Sequence, residues 1–138
     1  MVRTVLARTV LGVVAGIVAW LVIVTIIDRP MRYFWPDYAV NFAAMTFTLP
    51  MMLARLTEST IALVLAAIIA MRTAPASRYV AWSFGIVMFL IFAPYHATIW
   101  SKFPLWYHAY FLASLLAVPL IVATVMRETV AQTRAAFD

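Results

Sequence analysis

The chain has 138 residues, of which 67% are hydrophobic and only 11% charged, and its mean hydropathy is +1.01. A soluble domain carries about a quarter of its residues charged, so this composition excludes a disordered chain, an ordinary soluble enzyme and a nucleic-acid-binding module. The formal charge of +5, with nine Arg and one Lys, therefore reads as loop charge at a membrane surface.

Four stretches are long enough to cross ~30 Å of hydrocarbon, which takes ~20 helical residues. The first runs over 9–27, between Arg8 and Asp28. It exceeds a signal-peptide apolar region and lacks a small-x-small cleavage site before Asp28, so it is expected to be retained. Residues 28–49 form an outer loop rich in aromatics, from Arg32-Tyr33-Phe34-Trp35 to Phe47. Such a segment suits the headgroup region; 39–49 is read as an interfacial or re-entrant helix, or as an early start of the second span.

The second span covers 50–71, opens on Pro50, where a missing N–H costs nothing, and carries Arg55 and Glu58 into the membrane. The third covers 79–99 and the fourth 104–126, again opening on a proline, Pro104. Pro94 and Pro119 lie inside these two spans and are expected to bend them. The expected fold is all-α: one transmembrane domain over 1–138, four helices in an antiparallel bundle. Each span offers a row of small residues for close approach: Gly12 and Gly16; Ala62, Ala66 and Ala70, headed by Glu58; Ala81 and Gly85; Ala109, Ala113 and Ala117. These rows serve packing within the bundle, or one of them, Gly12/Gly16 first, serves a homo-oligomer or a partner subunit.

Basic residues set the orientation. Arg3, Arg8, Arg72, Arg78, Arg127 and Arg134 fall on one side, and Arg29, Arg32 and Lys102 on the other. Both termini are therefore expected in the cytoplasm, the membrane being a bacterial inner membrane.

Unusual residues gather at the outer end. Of twenty aromatics, six lie in 28–47 and eight in 92–111, so a belt marking both interfaces does not account for them. Arg55 and Glu58 are the strongest signal, since a charge deep in a span is costly, at least ~2.5 kcal/mol, and faces the protein interior or a wet cavity. They form a same-helix pair in which Arg55 reaches outward and neutralises Glu58, or Glu58 is a proton- or ligand-binding carboxylate. His96 and His108 lie twelve apart around a turn, which puts them at matched depth on facing helices. They suit a metal, a haem held from both sides, or a proton relay; the plain alternative is hydrogen bonding to headgroups and loop carbonyls. A zinc site needs a third donor, for which only Glu58 and Asp28 stand near.

With no cysteine, thiol chemistry and thiolate metal centres are excluded. Three glycines leave no phosphate-binding loop, the spans contain neither HExxH nor GxSxG, and the eight methionines read as packing filler. No catalytic residue is assigned. The sequence therefore points to a non-enzymatic membrane protein, an oligomer or accessory subunit, with an outward-facing pocket for a small amphipathic or lipid-like ligand. Arg55, Glu58, His96, His108 and Asp28 would bind it, with Trp35, Tyr95, Trp100 and Trp106 as the wall. One rival is a proton-coupled transporter or channel using Glu58, although the inner halves of the spans offer little beyond Ser83, Ser114 and Thr124. The other is a haem or metal protein using the two histidines.

Overall fold

The computed structural model describes residues 2–74 and 78–135, with side chains described over 4–74 and 79–132. It is all-helical: α1 (Val2–Phe34), α2 (Pro36–Ala44), α3 (Leu49–Thr73), α4 (Arg78–Thr98) and α5 (Leu105–Ala135), with a single 3-10 turn at Trp100–Lys102. All but α2 are long and apolar enough to cross a membrane, which marks an integral membrane protein. The side chains of Arg3, Arg78 and Arg134, part of the expected charge asymmetry, lie outside the described residues.

The largest departure from the sequence reading is the segment 28–49, which is helical over most of its length. Charge at Asp28 marks where an apolar stretch stops, not where a helix stops. α1 runs on through Pro30, its last turns held by an ion pair between Asp28 and Arg32 at i, i+4. At 33 residues and 1.5 Å per residue, α1 is about 50 Å long, well beyond the hydrocarbon thickness. α2 is a separate helix and not an early start of α3. It ends where Met45 takes the left-handed conformation (φ 55°), with Met45 N–H donating to Phe42 O and Thr46 N–H to Asn41 O, a Schellman ending. The Asn41 side chain locks this stop, donating to Asp37 O (2.8 Å) and accepting from the Thr46 hydroxyl (2.8 Å).

Close approach is made by small residues, as membrane helices require. A Cβ on Gly12 would stand 2.7 Å from Ala70 O and 2.8 Å from the Ala74 Cβ; one on Gly16 would meet the Phe84 ring at 2.8 Å and the Ala70 Cβ at 3.0 Å. The Gly12/Gly16 face is thus consumed inside the chain by α3 and α4 and is not free for a second copy. Gly85 meets the backbone of α5 in the same way, 2.8 Å from Leu115 O. In α3, Ala62, Ala66, Ala67 and Ala70 are fully buried. The expected small-residue row of α5 is not used: Ala109, Ala113 and Ala117 are exposed, and α5 instead buries Tyr107, Phe111 and Leu115.

Gly12→Ala is expected to destabilise the bundle by about 1–3 kcal/mol, since its new methyl meets a backbone carbonyl that cannot step aside. Ala113→Val, on an exposed face, is expected to stay within about 0.5 kcal/mol of wild type. Unfolding in mixed micelles followed by circular dichroism checks both, and equal effects would refute the assigned faces.

Candidate functional site

The row that begins Gly12, Gly16 continues at the same spacing through Trp20, Val24, Asp28 and Arg32. Where small residues give way to Trp20, the helices are held apart, and α1, α2, α3, α4 and α5 enclose a cavity of about 170 Å³. Asp28, Arg55, Glu58, His96 and Tyr95, all expected from the sequence, line it. Trp20, Phe42, Phe92, Tyr107 and Phe111 supply the aromatic wall. Of the tryptophans expected there, Trp35 stacks on Tyr38 and Trp100 on His108, and Trp106 packs edge-on against Tyr107. None of these three lines the cavity.

Arg55 forms no ion pair with Glu58 among the described residues. Its Nη1 donates to the Tyr38 hydroxyl (3.1 Å) and its Nε to the Tyr107 hydroxyl (3.3 Å), tying α3 to α2 and α5. The guanidinium also lies over the Phe47 ring at 4.7 Å and the Phe42 ring at 5.1 Å, a cation–π setting that replaces part of its lost hydration. Tyr38 is fully buried and carries the network onward, its hydroxyl reaching Asp28 at 3.5 Å. Burial pushes this hydroxyl above the ordinary tyrosine range, against the pull of the nearby Arg55, so it keeps its proton and both accepts and donates. Asp28 in turn pairs with Arg32, the single ion pair among the described residues.

His96 and His108 are brought into direct contact, Nδ1 to Nδ1 at 2.8 Å. The other ring nitrogen of His108, Nε2, stands 3.2 Å from Trp100 O. A carbonyl only accepts, so His108 Nε2 carries a proton. In a neutral pair His108 Nδ1 then accepts, His96 Nδ1 donates, and His96 Nε2 keeps a free lone pair. A haem iron gripped from opposite sides would hold the two nitrogens ~4 Å apart, twice a metal–nitrogen bond of ~2 Å, and a tetrahedral ion ~3.3 Å. The bonded pair leaves no such gap, which tells against a haem gripped between the histidines. Nor do three His, Asp or Glu converge among the described residues, so the third zinc donor is not in place.

Among the described residues, three buried polar atoms have no hydrogen-bond partner: Trp20 Nε1, Glu58 Oε1 and Ser59 Oγ. All three belong to residues lining this cavity. Ser59 stands out from its neighbours, since Thr57 and Thr60 each return their hydroxyl to the carbonyl four residues back. Leaving such a group dry costs about 1–3 kcal/mol, and buried polar groups in proteins are almost always paired.

The fold and this cavity define a class, a four-span integral membrane protein with a polar and aromatic cavity near one end of the bundle. No known protein family, characterised protein or solved structure matches the chain.

Tyr38→Phe and Tyr107→Phe are each expected to cost about 1–2 kcal/mol, and the double variant more than their sum by at least about 0.5 kcal/mol, because both hydroxyls serve one guanidinium. Unfolding of all four proteins in micelles gives the coupling, and strict additivity would mean that these bonds do not hold Arg55.

Proposed function

We propose that the protein is a non-enzymatic integral membrane protein whose cavity binds a small amphipathic molecule. The coincidence of three unpaired polar atoms with a largely aromatic wall carries the reading: concave, mostly apolar sites with a few converging polar groups are what ligands occupy. The bundle is taken as antiparallel with both termini in the cytoplasm, which opens the cavity toward the outer face of a bacterial inner membrane. The outer side of α1, where Val10, Leu11, Val14, Val18 and Leu21 are exposed, suits lipid chains or a further subunit. On this reading the chain works as an oligomer or as an accessory subunit.

Transport through Glu58 is the weaker reading. Away from the cavity the interior is filled by Leu63, Ala66, Ala70, Val80, Phe84 and Leu115, all buried. Ser114 and Thr124 spend their hydroxyls on their own helix, which leaves little to carry a polar solute onward.

Native mass spectrometry of mildly solubilised protein tests binding and assembly together. A stoichiometric mass beyond the polypeptide is expected, lost in Glu58→Gln and weakened at least tenfold in Arg55→Ala; retention unchanged in both variants would sink the binding reading. Because the chain has no cysteine, single cysteines report orientation cleanly. Lys102→Cys is expected to react with an impermeant maleimide in intact spheroplasts, and Arg127→Cys only after lysis. The reverse pattern would invert the topology.

A further inference from the structure

The donors and acceptors of the cavity form a pattern that narrows what can fill it. Trp20 Nε1–H can only donate, and in the neutral histidine pair the His96 Nε2 lone pair can only accept. Ser59 Oγ does either, and Glu58 Oε1 offers a further acceptor; both atoms are unpaired. A partner that satisfies these atoms must therefore present both an acceptor and a donor. Hydroxyl oxygen does both.

Size and walls decide what carries that hydroxyl. The cavity, about 170 Å³, is close to the ~150 Å³ of an apolar protein cavity that holds benzene. It is well short of the ~300 Å³ at which drug-sized ligands begin. A single six-membered ring fits within it. Phe92 stands edge-on to Trp20 (4.9 Å) and to Phe111 (5.5 Å), and His96 stacks on Phe111 at 4.4 Å. Rings arranged in this way favour another ring among them through offset and edge contacts.

Charge decides the rest. Asp28, Glu58, Arg32 and Arg55 all line the cavity. Asp28 is engaged by Arg32 and Tyr38, and Arg55 by Tyr38 and Tyr107. An organic cation would meet two guanidiniums, and an anion would meet Glu58 and Asp28. A neutral molecule avoids both penalties.

We propose that the cavity receives the ring of a neutral hydroxyaromatic molecule, of the phenol or hydroquinone class, its hydroxyl accepting from Trp20 Nε1 and donating toward Glu58 or His96. Ser59 contributes the remaining hydrogen bond. This deepens the binding reading above and rests on it.

The test uses the full chain in phosphatidylcholine nanodiscs, with fluorine NMR of three probes: para-fluorophenol, fluorobenzene and (para-fluorobenzyl)trimethylammonium. Saturable binding of the phenol is expected, at least about tenfold tighter than fluorobenzene, because the latter leaves the polar atoms dry. The preference is expected to collapse in Trp20→Phe, which keeps a ring and loses the N–H, and to shrink in Ser59→Ala. Variants count only if their circular dichroism and elution match wild type, and the two together guard against misfolding of either. Equal binding of phenol and fluorobenzene, or a preference that survives both substitutions, would overturn the proposal. Tighter binding of the ammonium probe would overturn it in favour of an organic cation. If no probe binds while native mass spectrometry of the same preparation shows a mass released by Glu58→Gln, the hydroxyaromatic class is wrong and the binding reading stands. If that mass is missing as well, both fall.

Discussion

A guanidinium half-buried in an apolar bundle has five N–H donors and a charge to satisfy. Arg55 meets that demand by drawing two tyrosine hydroxyls onto itself from different elements, one on α2 and one on α5. Much of the architecture around the cavity follows from this. Tyr38 can reach Arg55 because the nine-residue α2 folds back against α1, its end set by the sharp stop at Met45. The aromatics then close ranks around the same point: Phe47 stacks on Phe103, and Phe103 on Tyr107, at 5.4 and 4.4 Å. The α4–α5 turn is thereby tied to the segment between α2 and α3.

The bundle is held together differently along its length. Around Gly12, Gly16, Ala66 and Ala70 the backbones approach closely and dispersion between small residues does the work, as it must where lipid removes any hydrophobic drive. From Trp20 onward on the same face of α1, large rings set the spacing, and rings pack less completely than methyl groups against methyl groups. The cavity is the space they leave. It is polar because Glu58 and Ser59 continue the alanine face of α3 into it, one turn before Ala62.

Much of this was legible in the sequence because helical periodicity survives folding. Glu58 at the head of an alanine row had to face inward with that row, and it does. Histidines twelve apart across a short turn were expected at matched depth on facing helices, and they stand in contact. Three things were hidden. A small-residue row reads the same whether it packs or faces lipid, so Ala109, Ala113 and Ala117 were indistinguishable from Ala62, Ala66 and Ala70. The competing row Phe103, Tyr107, Phe111, Leu115 carried the interior face of α5 and, in Tyr107, a partner of Arg55. An arginine can satisfy itself on tyrosines far along the chain as readily as on a glutamate three residues away, and no local pattern ranks these. Finally, apolar runs report hydrocarbon and not helix, which is why α1 extends to Phe34 while its uncharged stretch stops at Ile27.

The two modes of packing imply two kinds of failure. Loss of fit among the small residues separates α1 from α3 and α4 together, and so is felt by the whole bundle. Loss of a bond at Arg55 frees α2 and the walls of the cavity first, because these elements have few other anchors: α2 contributes one buried side chain, Tyr38. Regions with few buried contacts open at lower free energy than the global core. The segment most easily released is therefore the one beside the cavity, and the bond network that positions Arg55 is also what holds that segment in place. A molecule filling the cavity would touch Phe42 of α2 and Arg55 together. Occupancy and the docking of α2 are then linked, each favouring the other to the same degree.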